Sequence, residues 1–307
     1  MTEIFLRAPA TIANFGPGFD IFALALAEPC DVFRIRRTKS KKVTIAVVGD
    51  RDNLPTEAEK NTAGVAALVF LKRLKAPAGV EIEIIKKIPA GAGLGSSGAS
   101  AVAAVYGLDK LFKTGLDVED RLEIASRGEE ASSGASHADN VSACGLGGFV
   151  LIRNRHPLRF DRIEVPDIPI VMRIQKKSMT TSRSLIPGHL SLAGVKEQMA
   201  WCAALVHALH TGDLKKIGEA ISRDHISEPV RSRYIPGYED LKKRALEAGA
   251  LGCNVSGGGS SVFAICDKDR VDLVAEVLGA RRETDPEPPL VLKTKSANQG
   301  VTEIDGL

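Results

Sequence analysis

The chain has 307 residues, 44% of them hydrophobic and 26% charged, with a formal net charge of +3. That length and balance suit one large or two modest domains around a buried core. The charge is too small, and the basic residues too scattered, for a nucleic-acid surface, and no apolar run approaches the ~20 residues of a membrane span.

The opening Met1-Thr2-Glu3 has neither the basic start nor the apolar core of a signal peptide. Five cysteines, Cys30, Cys144, Cys202, Cys253 and Cys266, are odd in number and widely spaced. No Cys-x-x-Cys or Cys/His cluster suggests zinc, so the expectation is reduced thiols in a cytoplasmic protein.

Residues 4 to 8 read as a first strand, and Pro9 to Asp20 as a shaped loop, because it mixes Gly and Pro with Asn and Asp. Strands follow over Ile21–Leu26, Val32–Arg36 and Val43–Val48, and the basic run Arg34 to Lys42 reads as a solvated strand edge. Asn61 caps a helix that runs to Leu74, with Ala66, Val69, Phe70 and Leu74 on one face.

The stretch that organises the chain is Val80 to Leu111. A β-branched strand, Val80–Ile85, leads through Lys86-Lys87 into Ile88-Pro89-Ala90-Gly91-Ala92-Gly93-Leu94-Gly95-Ser96-Ser97-Gly98-Ala99-Ser100, and a small-residue helix follows. Glycines let a backbone come within hydrogen-bonding range of a ligand. The helix start adds free N–H groups and the positive end of a dipole, and the serines add hydroxyls, so the ligand that fits is a phosphate group.

A second helix is predicted from Asp117 toward Ser132, ending at Ser133-Gly134-Ala135-Ser136-His137-Ala138-Asp139-Asn140, and Gly147–Ile152 closes the N-terminal half as a strand. The turn-rich Asn154–Asp161 predicts the boundary between a first domain, 1–155, and a second, 156–307. The second half reads as strands near Phe160–Val165 and Ile170–Ile174, then helices near Ser191–His210, Leu214–Arg223 and Tyr238–Ala248. A second glycine loop, Asn254 to Ser261, precedes a strand over Val262–Cys266, a helix over Lys268–Leu278 and a last strand over Pro289–Lys293. Strands and helices mixed without strict alternation predict an α+β fold.

Three phosphate loops share the outline of residues 88 to 100. A Walker loop needs Gly-Lys-Ser/Thr at its end, and no Lys follows Gly95. The dinucleotide fingerprint G-x-G-x-x-G is satisfied by Gly93 to Gly98, and Asp117 lies about 20 residues on. That reading needs a second strand ending at the acid, whereas Asp117 to Ala125 reads as the charged first turns of a helix. The third option fits best: Pro89-Ala90-Gly91-Ala92-Gly93-Leu94-Gly95-Ser96-Ser97-Gly98 resembles the ATP-binding motif of the GHMP kinases.

Two further segments carry the same resemblance. Asn254 to Ser261 is similar to that superfamily's third motif, and Pro9 to Asp20 to its first, in the version Pro-x-Thr/Ser-x-Asn-x-Gly-x-Gly-Phe-Asp of the homoserine kinases. Gly128-Glu129, Ser132 to Asn140 and Glu228-Pro229-Val230-Arg231 resemble the same branch. The resemblance implies a two-domain GHMP kinase fold, with a mixed-sheet, ATP-binding N-terminal half and a ferredoxin-like C-terminal half. It implies transfer of a phosphoryl group from ATP, with Mg2+, to the side-chain hydroxyl of L-homoserine, on the way to threonine, and it admits a homodimer. Another acceptor of the mevalonate or shikimate type, or a member that binds without catalysis, stays open.

By the same resemblance Pro89 to Ala99 hold the nucleotide, Ser97 and Glu129 hold the ion, and Arg183 and Arg231 grip the acceptor carboxylate. Arginine does so with two parallel hydrogen bonds. Asn14, Asp20 and Asn140 contact the amino acid or its hydroxyl, Asp20 nearest the attacking oxygen and so able to orient it or act as base. His137 contacts substrate or fixes the Asp139-Asn140 turn. One departure concerns the family's Thr-x-x-Ala-Arg. Here Ser178-Met179-Thr180-Thr181-Ser182-Arg183 puts Met179 at the threonine's place, with Thr180 as the alternative.

Overall fold

The computed structural model of the chain describes residues 2–49, 53–74, 79–134, 137–175, 185–283, 285 and 287–306, with 131–133 described by backbone alone. The first sheet is built on β1 (Glu3–Ala13) and β2 (Phe22–Thr38), an antiparallel pair. β3 (Val43–Val48), β4 (Gly79–Ile85) and a late strand, β11 (Thr302–Ile304), complete the path β11-β1-β2-β4-β3. β5 (Phe149–Arg155) pairs with the start of β2, and β6 (Leu158–Ile163) with β5.

β1 and β2 both outrun the sequence reading. Strand pairing continues through Pro9 and Thr11, where the register shifts, so residues predicted as loop lie on the sheet and two predicted strands become one. Proline lacks the ladder donor and is tolerated at such an irregularity.

Helices α1 (Thr62–Leu74), α2 (Ser96–Phe112), α3 (Val118–Ser133) and α4 (Ala138–Leu146) pack together against this sheet. Asn61 accepts from the Ala63 N–H at 3.0 Å, so the predicted cap is made, and Asp117 caps α3 by accepting from the Asp120 N–H at 2.7 Å. α1 buries Ala66 and Phe70 as its pattern predicts, with Val69 and Leu74 half-buried against the same core and Ala63, Ala67 and Leu71 completing the face. α2 is buried along its whole first half, Gly98 to Val105, which explains its run of Ala, Gly and Ser: larger side chains would hold its neighbours off.

The dinucleotide reading fails on this topology. After β4 and α2 the chain enters α3 and α4, and the strand parallel to β4 is the earlier β3.

The second sheet has β7 (Pro169–Ile174), β8 (Ala250–Val255), β9 (Val262–Cys266) and β10 (Leu290–Lys295) in the order β10-β7-β9-β8, all neighbours antiparallel. This is the ferredoxin-like arrangement. Strand periodicity divides its side chains between two cores. Ile170, Met172, Phe263 and Ile265 join the large core shared with the first sheet, α5 (Leu192–Thr211) and α6 (Leu214–Ile221). Val171, Val262 and Ala264 face a smaller core with α8 (Tyr238–Glu247) and α9 (Val271–Gly279). Between α6 and α8 lies the short α7 (Glu228–Arg231), which the sequence reading lacks.

The predicted division at 155/156 falls in the turn between β5 and β6, both strands of the first sheet, and the second sheet begins at Pro169. β6 was read as part of the C-terminal half; its hairpin register with β5 puts it on the N-terminal sheet.

Candidate active site

The glycine loop leaves β4 and ends at α2, with Gly91, Gly93 and Gly95 all in the left-handed region at φ +69°, +79° and +68°. Two of them are also required by packing. A Cβ on Gly93 would lie 2.2 Å from the Ser256 carbonyl oxygen, and one on Gly95 would lie 2.0 Å from Oγ1 of Thr11. Gly91 differs: a Cβ there would meet nothing within 4 Å, because the residue faces an open cavity. Beneath the loop a buried ion pair joins Lys86 to Asp31, and the Lys86 ammonium also donates to Oγ of Ser96 at 2.7 Å. Asp31 accepts the backbone N–H groups of Lys87 and Ile88, at 2.8 and 2.9 Å, which fixes the bend out of β4.

The second glycine loop docks on the first. Ser256 donates to the Gly93 carbonyl at 2.7 Å, and a Cβ on Gly259 would come within 2.4 Å of Ala92 backbone. These contacts bring the C-terminal sheet to the rim of the cavity, whose volume is about 610 Å3.

At the start of α2, Ser97 donates to Oε1 of Glu129 at 2.6 Å, and Glu129 is only 1% exposed. Nδ1 of His137 lies 3.3 Å from the same oxygen, and its backbone N–H bonds Oε2 at 3.3 Å. Hydrogen bonding to Glu129 raises the His137 pKa above its ordinary value, against the opposing effect of burial. His137 thus braces Glu129, rather than making the turn-fixing bond expected of it. Ser97 and Glu129 are hard oxygen donors beside the start of α2, which suits Mg2+, an ion that takes one or two protein oxygens and completes its shell with phosphates and water. Among the described residues there is no group of three or more His, Cys, Asp or Glu that could hold a metal by itself.

The loop after β1 lines the cavity through Asn14 and Asp20. Asn14, Phe15 and Asp20 have positive φ, at 67°, 37° and 62°. Asn and Asp adopt this region more readily than most residues; Phe15 is held there by its ring, fully buried, stacked on Phe263 at 5.5 Å and edge-on to Phe149 at 6.2 Å. Asn14 Oδ1 accepts from the Asp20 N–H at 3.1 Å. Asn140 accepts from the Thr11 hydroxyl at 2.6 Å. Arg231, on α7, donates to the Gly257 carbonyl at 2.6 Å and stacks over Phe19, its guanidinium carbon 5.3 Å from the ring centre.

Asn14, Asp20, Ala90, Gly91, Gly93, Leu94, Gly95, Ser96, Ser97, Glu129, His137, Asn140 and Arg231 therefore line one cavity. Pro89, Ala92, Gly98 and Ala99 do not line it: Ala92 packs under Gly259, Gly98 sits against Asn140, and Ala99 is fully buried in the core. Arg183, with Met179 and Thr180, lies outside the described residues. Two residues at or beside the cavity escaped the sequence reading. Asp139 lines the cavity with a buried Oδ1 that has no hydrogen-bond partner, and burial raises its pKa. Arg155 pairs with Asp20, Nη2 to Oδ2, at 3.3 Å. Leu54, Pro55, Lys60, Asn61 and Thr62, which no motif marked, also line the cavity.

Comparison with known proteins fits this geometry. Residues 61–148 match the GHMP kinases N terminal domain and residues 205–283 the GHMP kinases C terminal domain. A homoserine kinase of Methanopyrus kandleri is 40% identical over 278 residues, 89% of this chain and 90% of that protein. The chain belongs to the homoserine kinase family of the GHMP kinases. Another homoserine kinase, of Methanococcus vannielii, is 35% identical over 88% of the chain and 90% of its own length. The crystal structure of homoserine kinase from Cytophaga hutchinsonii superposes with a TM-score of 0.91 at 37% identity, covering 99% of this chain and 98% of that one.

Proposed function

We propose that the chain transfers the γ-phosphoryl group of ATP to the side-chain hydroxyl of L-homoserine, giving O-phospho-L-homoserine and ADP, a step toward threonine. The observation that carries this is the acceptor end of the cavity. Arg231, suited to a carboxylate, and Asp139, a buried carboxyl with an unpartnered oxygen suited to an ammonium, stand in the same chamber as the glycine loop. A zwitterionic amino alcohol meets both; mevalonate and shikimate bring no ammonium to Asp139, which would leave a buried acid unmatched.

Phosphoryl transfer depends on positioning and charge neutralisation more than on a strong nucleophile. Gly91 to Ser97 and the first turn of α2 receive the triphosphate. Ser97 and Glu129 are the residues that would hold Mg2+, which supplies neutralisation of the phosphate charge when bound. Arg231, with Arg183 assigned the same task, fixes the carboxylate, and Asn14 and Asn140 frame the amino acid. Asp20 accepts the hydrogen bond of the attacking hydroxyl and aims it at the γ-phosphorus.

No helix of the described residues is long and apolar enough to cross a membrane. All five cysteines are free, which supports a cytoplasmic site of action. A coupled assay of ADP release with homoserine, mevalonate and shikimate tests the acceptor: turnover with homoserine is expected, and its absence overturns the reading.

A further inference from the structure

Asp20 enters the cavity from a constrained backbone, with its N–H on Asn14 and φ at 62°. Arg155 closes on it from the end of β5. Nη2 of Arg155 lies 3.3 Å from Oδ2 of Asp20 and 3.3 Å from the Asp20 carbonyl oxygen, so one guanidinium nitrogen addresses both side chain and main chain. The first sheet brings the two together: Phe22 pairs with Leu151, and the Ile152 N–H reaches the Ile21 carbonyl at 2.8 Å, so β5 runs out beside the end of the loop. Arg155 is the last residue of β5, and it keeps a 32% exposed side chain against 19% for Asp20. A planar guanidinium is a more directional clamp than an ammonium, because its donors are fixed in one fork.

We propose that Arg155 is a positioning residue for the phosphoryl transfer: it holds the Asp20 carboxylate in the orientation that lines the acceptor hydroxyl up with the γ-phosphorus. This rests on the reading of Asp20 as the residue that meets that hydroxyl. A carboxylate held in this way is fixed in direction, so the work assigned to Asp20 is orientation of the hydroxyl. Misorientation therefore appears in the rate of the chemical step, with substrate affinity changed far less.

The test is a double-mutant cycle of Arg155→Met and Asp20→Asn, with Arg155→Lys as the charge-keeping variant and a thermal midpoint for each. Arg155→Met is expected to lower kcat about a hundredfold, the scale of a misplaced reacting group, while KM for ATP stays within about twofold. In the Asp20→Asn background the same change should add nothing, because its path of action is gone. Arg155→Lys should recover part of the rate. Additive effects, or an Arg155→Met enzyme with wild-type kcat, overturn the proposal. Should Arg155→Met lower the thermal midpoint, the cycle is read with Arg155→Lys, which must again be silent in the Asp20→Asn background. A wild-type enzyme that ignores homoserine, or an Asp20→Asn enzyme with full kcat, sinks the acceptor reading and this inference with it. An active wild type with an impaired Asp20→Asn and additive singles sinks the role of Arg155 alone.

Discussion

Ser256 hands its hydroxyl hydrogen to the carbonyl of Gly93, 2.7 Å away, across a sequence separation of 163 residues. Each residue is the pivot of a glycine loop, and each loop belongs to a different sheet. The shape of the nucleotide loop is thus set jointly by both halves of the chain.

Gly93→Ala puts a methyl 2.2 Å from the Ser256 carbonyl oxygen at a φ of +79°, so backbone must move. The strain is about 1–3 kcal/mol, and it falls on the residues proposed to receive the triphosphate. Ser256→Ala removes one hydrogen bond, worth about 1 kcal/mol. Both variants should raise KM for ATP, alanine at Gly93 far more, with homoserine KM changed less; steady-state kinetics with each substrate varied in turn checks the order.

Glu129→Gln keeps the shape of the side chain and removes its charge from beside Ser97. It should lower kcat about ten- to hundredfold and raise the Mg2+ concentration needed for half-maximal rate. A titration of rate against Mg2+ that superposes on wild type after scaling would remove Glu129 from the metal role.

Arg231→Ala deletes a charged donor from the acceptor end, a loss of about 1.5–3 kcal/mol, equivalent to about ten- to a hundredfold in KM for homoserine. ATP should be affected much less, the residual coming from the lost bond to the Gly257 carbonyl. Equal effects on both substrates would argue for a purely structural arginine.

In the C-terminal half, Arg173 is fully buried and bonded to Asp285, which also takes hydrogen bonds from Arg282. Burial pushes the Asp285 carboxyl up, but the bonds from Arg282 and Arg173 outweigh it and hold the group well below its ordinary value of 3.8. Its contribution to stability is therefore complete above that value and is lost as pH falls through the depressed one. Asp285→Asn leaves the guanidinium of Arg173 buried without its counter-charge and should cost about 3–5 kcal/mol near neutral pH. Denaturant midpoints at pH 7 and pH 3 should show the gap to wild type narrowing in acid.

What could be read from the amino acids was local. Gly91, Gly93, Gly95, Ser96 and Ser97 announce a phosphate loop because backbone freedom, free amides and hydroxyls follow from a dozen adjacent residues. The cap Asn61 acts within two residues of itself, and Asp117, read as the start of a helix, caps it within three. Arg155 and Asp20, by contrast, meet across 135 positions, and a lone arginine near a proline turn carries no sign of its partner. Asp139 adjoins Asn140 in a motif that resembled its family, yet its unpartnered oxygen is a property of burial, visible only once α4 is packed. β11 has three residues and α7 four, too short for any periodicity to register.

Phe15 touches Phe149 of one sheet and Phe263 of the other while its own backbone is part of the acceptor loop. A ring wedged in this way works as an axle pin. Were the two sheets to slide or rock against each other, the pin would drag Asn14 along, and Asp20 through its N–H on Asn14, altering the seat of the hydroxyl before the rest of the chamber changed. Movement between the sheets and alignment of the loop that carries Asn14 and Asp20 are in that sense coupled through one side chain.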